Sequence, residues 1–547
     1  STMDRAVWDI SQESVALSKG TVGAQAEMIS QHPQQDSLRF NASKAVFYLR
    51  PSVLKGEGVP HLDLADARVF PDSNRIVVEA QAYMRPLKNA KITAPRTEAY
   101  HQMERANLLV EGRNNFGGTA TYLYRDVNDQ VLPIVFSRVQ SDSGGTTYGR
   151  GDLSKVKPFP ISPYFQFYGE AKMFSAQEYL TFDGFTTITA QCPSVSSQYF
   201  RTKSVVDPAD IVLELPNRDT AKGLNRVFNG IYLAQDSAAP YAAFIGRGGA
   251  RASVELIGAY GVLYYEPKFK HYVVTTRRRM EDPEASDNVL TLNTETCVVE
   301  GTGQLRLGEN TGLLEMKTYG RIAADLRKST MEADVALTLQ FLFQPDVLKG
   351  LGAELVAETP GDFLSDAAAE LCNFSLDLKS RQDYYQEGIV GKLPRPMRTA
   401  LFLDNAHLTW DAGLRTFRSD GPLVLGGVDG TTLHREVEGI LELRKKSRGD
   451  EFTLYVKTAA EVEHFFLYKR NILQFYSTHK PYMDAILATE PNKRSIPPKD
   501  GQSPFVYNTS TRGKMRLFLE NQPVTVDDSD EATDQSGSVP PDSGDGN

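Results

Sequence analysis

Cysteine is scarce: the 547 residues hold three, Cys192, Cys297 and Cys372, spaced by 105 and 75 positions. So sparse and odd a set makes no disulfide framework and offers no CxxC spacing for a metal or a redox pair. The expectation is that they are buried small hydrophobes, with one disulfide in an oxidising compartment as the other outcome. Long apolar runs are also missing. Stretches such as IVLEL and ALTLQFLFQP stop far short of the roughly 18 residues of a membrane-spanning helix, and no transmembrane segment is expected. The opening Ser1-Thr2-Met3-Asp4 has no basic region before an apolar core, so no secretory signal is expected in this chain.

A basic surplus is absent as well. The net charge is −9, and seven of the nine belong to acids after Asn521 (Asp527, Asp528, Asp530, Glu531, Asp534, Asp542, Asp545), which leaves the body at −2. Nucleic-acid affinity rests largely on phosphate neutralisation, so no nucleic-acid partner is expected. The basic runs Arg277-Arg278-Arg279 and Arg444-Lys445-Lys446 are each followed by acids and read as solvated hairpin ends.

Catalytic signatures are equally thin. The eight histidines show no helical zinc spacing, and HQME at His101 to Glu104 is not a two-histidine metalloprotease helix. IGRGGARA, Ile245 to Ala252, lacks the last glycine and the following helix of a dinucleotide loop. There is no Gly-Lys-Ser/Thr phosphate loop and no Gly-x-Ser-x-Gly elbow. No metal and no cofactor is expected. Arg150-Gly151-Asp152 matches an adhesion tripeptide, a length at which chance matches are common.

What the sequence does have is rhythm. A polar residue, an alanine and an aliphatic run recur at SKAVFYL, ADARVF, KNAKITA and ERANLLVEG, with marker alanines Ala45, Ala67, Ala90 and Ala106 separated by 22, 23 and 16 residues. That is strand, turn and return strand at a nearly constant length. EGTGQLRLGENTGLLEMKTYGRI, from Glu300, echoes VEGRNNFGGTATYLYRD, from Val110. Glycine or asparagine turns every 8 to 12 residues argue for extended β architecture rather than alternating β and α. Gly169 and Gly184 interrupt aromatic strands, where interior glycine marks a bulge or a close backbone approach. The fold class is therefore mainly β: stacked or rolled antiparallel sheets from irregular units of about 20 residues, too short to bury a face alone.

The pattern changes after Pro345, where apolar residues fall at three and four spacing and Ser365 or Asp362 stands as an N-cap. This predicts a two-helix insert split near Thr359-Pro360-Gly361. The stretch AEVEHFFLYKRNILQFYSTHKPYMDAIL predicts a helix holding His464, Phe465 and Tyr468, then a strand from Ile472 to Tyr476. Five units follow: an N-terminal β-repeat domain (1–145), a second β domain (160–345), the helical insert (346–390), a C-terminal β-rich domain (391–520) and a disordered acidic tail (521–547). The glycine-rich stretch 140–163 is the junction between the first two.

Two function classes remain. Asp183 in TFDG and Asp404 in FLDNAHLTWD stand beside aromatics that could stack on a sugar, and Trp410 and Tyr164 are the matching candidates for a carbohydrate-binding face. The stretches PHLDLADARVFPDSNRIVVEAQAYMRPLKNAKITAPRTEAYHQMERANLLVEGRNNFGGTATYLYRD, TFDGFTTITAQCPSVSSQYFRTKSVVDPADIVLEL and LNTETCVVEGTGQLRLGENTGLLEMKTYGRI point to the other class. They resemble large, uncharacterised, β-rich envelope proteins of Bacteroidetes-type bacteria. Their return strands are also similar to the β-jelly-roll repeats of lipopolysaccharide-transport periplasmic proteins. The resemblance implies a non-catalytic scaffold, assembly factor or amphiphile carrier in the periplasm or on the outer surface. Its partners would be other envelope proteins or an amphiphile, and the chain would be one portion of a longer protein. It carries over no catalytic residues. A carbohydrate-binding or carbohydrate-active surface protein is the alternative.

Overall fold

Strand His101–Gly112 shows how the chain builds its interior. Met103, Ala106, Leu108 and Val110 are buried while most of the residues between them are not. The period of two holds except at a bulge where Arg105 takes a left-handed φ of 50°. A strand with one apolar face must lay it on another layer, and this chain does so by curling its own sheet. The computed structural model describes the chain except residues 22–23, 156, 194, 196–197, 217–225, 235–238, 247–252, 309–310, 357–364, 388–392, 447–448, 499–502 and 522–547. Strand takes 53% of the chain and helix 14%, which makes it mainly β.

A five-stranded sheet (Arg5–Asp9, Ser14–Ser18, Lys44–Tyr48, Val53–Glu57, Arg75–Val78) comes first. A 13-stranded sheet then runs from Ala26–Ile29 to Phe200–Val205, and a 16-stranded sheet from Leu213–Glu214 to Phe505–Thr509. A three-stranded sheet centred on Phe228–Ala234 packs beside the third sheet, where Ile257 lies over Gly301. Neighbouring strands are antiparallel, apart from Ile472–Ser477 alongside Phe505–Thr509. Within the stretch 140–163, Thr147–Asp152 and Phe159–Ser162 are strands of the second sheet, which continues on both sides of it. Phe228–Ala234 pairs with both other strands of the three-stranded sheet.

Contacts between distant strands show the rolling. In the 13-stranded sheet the ring of Tyr124 lies 5.8 Å from that of Phe182, although three strands separate them in the sheet. Asp66 accepts from the Thr147 amide at 2.8 Å and from the Ser175 hydroxyl. Buried His101 bridges the Tyr122 hydroxyl at 3.1 Å and the Gln177 carbonyl at 2.7 Å. In the 16-stranded sheet Asn471 accepts from the Leu313 amide at 2.9 Å, and Phe343 packs on Phe475 and Tyr507. One apolar interior continues from Leu38 to Tyr507 through both rolls.

The marker alanines are packing positions. Ala45, Ala67, Ala90 and Ala106 are fully buried, and Ala90 faces Ala106 across the sheet. Ala90→Leu is therefore expected to destabilise by about 1–3 kcal/mol through overpacking, read as a lowered urea midpoint. A wild-type midpoint would refute the packing role. Gly169 and Gly184 also face each other, and a Cβ on Gly169 would stand 2.6 Å from the Gly184 Cα. Gly117 and Gly118 lie inside strand Asn115–Arg125, where a Cβ on Gly118 would meet the Asn107 carbonyl.

Four expectations need correction. Cys192 and Cys297 are joined in a disulfide, and only Cys372 is a buried thiol. Among the described residues the insert holds three helices, Pro345–Leu355, Asp366–Ser375 and Leu378–Glu387, rather than two. Ser365 caps the second by accepting from the Ala368 amide, as its position predicts, while Asp362 and Thr359-Pro360-Gly361 lie outside the described residues, as does the tail 522–547. Val462–Lys469 is a strand, not a helix, and Lys480–Ala488 is the helix that follows the hairpin. Arg277–Glu281 is a short helix whose Arg279 is buried against Glu370 at 2.7 Å, pinning the insert to the third sheet.

Candidate functional site

Asp183 stands on the outer face of strand Thr181–Ile188 between two cations. Lys172 donates to it at 2.6 Å, and Arg201 donates to its other oxygen. These bonds, Lys172's foremost, hold its carboxyl down to about 2. A group ionised at every working pH has no proton to give a glycosidic oxygen.

Asp404 is in the opposite situation. It and His434 have fully buried side chains, with the carboxylate 3.2 Å from Nδ1. The Tyr384 hydroxyl lies 3.4 Å from Nε2, and the Ser365 hydroxyl donates to the Asp404 carbonyl at 2.7 Å. Among the described residues nothing bonds the second carboxylate oxygen. The pair lies where the helical insert meets the third sheet, out of reach of a solvent-borne sugar. Asp183 and Asp404 belong to different sheets, so the two acids do not face a common bond.

Tyr164 is a junction residue. Its ring stacks on Tyr265 at 3.7 Å and its carbonyl accepts from the Tyr272 hydroxyl at 2.7 Å, joining the second sheet to the third. The Cys192–Cys297 bond crosses the same junction.

Trp410 lines a cavity. It ends strand Leu401–Asp411, half-buried against Phe417 at 4.7 Å, its partner in register. The cavity measures about 400 Å³ and takes in Asp325, Lys328, Thr330, Glu332 and Thr409 from the neighbouring hairpin tips. That is within the usual range of small-ligand sites, about 300–1,000 Å³. Asp325 accepts from the Arg327 and Lys328 amides at 2.9 and 3.0 Å, which fixes the turn on the cavity's rim and lowers its carboxyl below the ordinary value. Glu332 and Thr409 face each other across adjacent strands.

What the sequence pattern left unread is the exposure of the first strand. Strand Arg5–Asp9 ends the first sheet, paired on one side with Ser14–Ser18, and all five residues are exposed. Val7 is 52% and Trp8 67% accessible. The available signal was apolar residues on both parities, Val7 against Trp8 and Ile10, which a half-buried strand does not show.

Among the described residues no group of three or more His, Cys, Asp or Glu could hold a metal, and no helix is long and apolar enough to cross a membrane. The fold and these sites define a mainly β protein of rolled antiparallel sheets with an open edge strand. Comparisons with family models, curated proteins and solved structures found no match.

Proposed function

We propose that this chain is a non-catalytic envelope protein, a scaffold or assembly factor that accepts partner strands at an open sheet edge. The carrying observation is strand Arg5–Asp9, a sheet terminus exposed along its whole length. Native proteins blunt such edges unless they are used, because unpaired amides and carbonyls are a template for another strand. The Cys192–Cys297 bond supports an oxidising compartment such as the periplasm or outer surface. The carrier version has less support: the apolar cavity between the first two sheets, lined by Met28, Leu38, Phe40, Leu54 and Met84, holds about 100 Å³. Ala6→Pro with Val7→Lys should abolish cross-linking to envelope partners in cells and leave the melting temperature unchanged. Cross-linking at the wild-type level overturns the proposal.

The Trp410 cavity favours a second reading, a carbohydrate-binding surface. Its acids, lysine and threonines suit hydroxyl groups, and an indole face suits a sugar's C–H face. The chain has only two tryptophans, so a Trp8→Phe chain reports on Trp410 alone. Neutral disaccharides should shift its emission, and Trp410→Ala should weaken their binding about tenfold, a loss of about 1.4 kcal/mol. An unchanged spectrum throughout the panel removes this reading.

A further inference from the structure

The open edge strand reads Arg5-Ala6-Val7-Trp8-Asp9, and this order is complementary to its own reverse. Place a second copy of the strand antiparallel along the free edge, with a two-fold axis at Val7. Arg5 then faces Asp9 and Asp9 faces Arg5. Ala6 faces Trp8, small against large, and Val7 faces Val7 at the centre. Strand alternation puts Arg5, Val7 and Asp9 on one face and Ala6 and Trp8 on the other, so ion pairs flank the apolar contact on one side and an indole covers a methyl group on the other.

Other registers lose this fit. A shift of two residues sets Arg5 or Asp9 opposite Val7, and a shift of one sets Asp9 opposite Asp4 or Arg5 opposite Ile10. Parallel pairing in register stacks Arg5 on Arg5 and Asp9 on Asp9, which like charges disfavour. Among the described residues no carboxylate pairs with Arg5, and Asp9 binds only its own turn, at Ser11 and Gln12. We infer that this strand pairs with the same strand of a second copy of the chain, making a two-fold antiparallel dimer through a continuous sheet. The inference rests on the strand-addition reading and names the partner: an isologous interface, in which one patch serves both subunits.

Two sets of variants and one cross-linking experiment test it. The two-fold axis holds the Val7 Cα atoms about 4.5–5.5 Å apart, within the range of a disulfide. Val7→Cys should therefore oxidise to a covalent dimer, whereas Ala6→Cys, which faces Trp8, should not. In sedimentation, the Arg5→Glu chain and the Asp9→Lys chain should each be monomeric, since each opposes like charges. Mixed, they should dimerise, because the introduced carboxylate of one chain then meets the introduced ammonium of the other, and the remaining Asp9 meets the remaining Arg5. A chain that stays monomeric at all concentrations, or mutants that dimerise alone as readily as mixed, overturns the inference. A photo-cross-linking residue in place of Val7, in the cells that make the protein, separates the two levels. An adduct of two copies supports self-pairing. An adduct with a different chain overturns self-pairing but leaves strand addition standing, and no adduct overturns both.

Discussion

Asp404→Ala is expected to lower the unfolding free energy by about 3–5 kcal/mol, the scale of breaking a buried pair by removing one member. Asp404 and His434 share a site with no accessible side-chain surface. Without the carboxylate, Nδ1 of His434 keeps its need for a partner where water cannot supply one. The contrast with a joint replacement makes the prediction specific. Asp404→Leu with His434→Phe removes both polar groups and should recover most of the loss, because the penalty belongs to the orphaned partner. Urea unfolding followed by far-UV circular dichroism checks both. Asp404→Asn should likewise change stability and no sugar-cleaving activity. A single mutant as stable as wild type would mean that the pair does not hold the insert against the sheet.

The β class was legible because its signals are local: turn residues at short intervals, alternating faces and alanines at strand-pair spacing. Those alanines proved to be packing positions. The errors fall where two layers cover one strand. His464, Phe465, Phe466 and Tyr468 are all buried. Phe465 is covered by the helix Arg512–Glu520 through Met515 and Phe518, while Phe466 and Tyr468 face the rolled interior. A strand apolar on both faces has no period of two to read, so its run mimics a helix. The Arg470-Asn471 turn, both residues at left-handed φ, was the local mark of the hairpin. Arg279 failed for a related reason: its partner Glu370 is 91 residues away, and no local pattern separates a buried arginine from a solvated one. Asp183 and Asp404 were chosen for their aromatic neighbours. What decides their chemistry is Lys172, Arg201 and His434, brought in from other strands.

Replacing Cys192 and Cys297 together by serine is expected to cost about 2–5 kcal/mol, as for native disulfides elsewhere. The bond closes a loop across 105 residues, and constraint of the unfolded chain grows with loop length. It is also placed where the two rolled sheets meet. Cys192 lies between strands Thr181–Ile188 and Phe200–Val205 of the second sheet, and Cys297 precedes strand Val298–Leu305 of the third. Beside it, Tyr164 stacks on Tyr265, and the Thr189 amide donates to the Tyr272 hydroxyl at 3.2 Å. The double serine variant should therefore lose hydrogen-exchange protection first at Thr189 and along His271–Thr275, with the far ends of both sheets unaffected. A reducing agent should reproduce the effect in the wild-type chain and do nothing further to the variant. Equal protection in the two chains would mean that the aromatic contacts hold the junction alone. The pairing was invisible to spacing because three cysteines allow three single bridges. Only the return of Cys297 to the second sheet, brought about by the fold, selects among them.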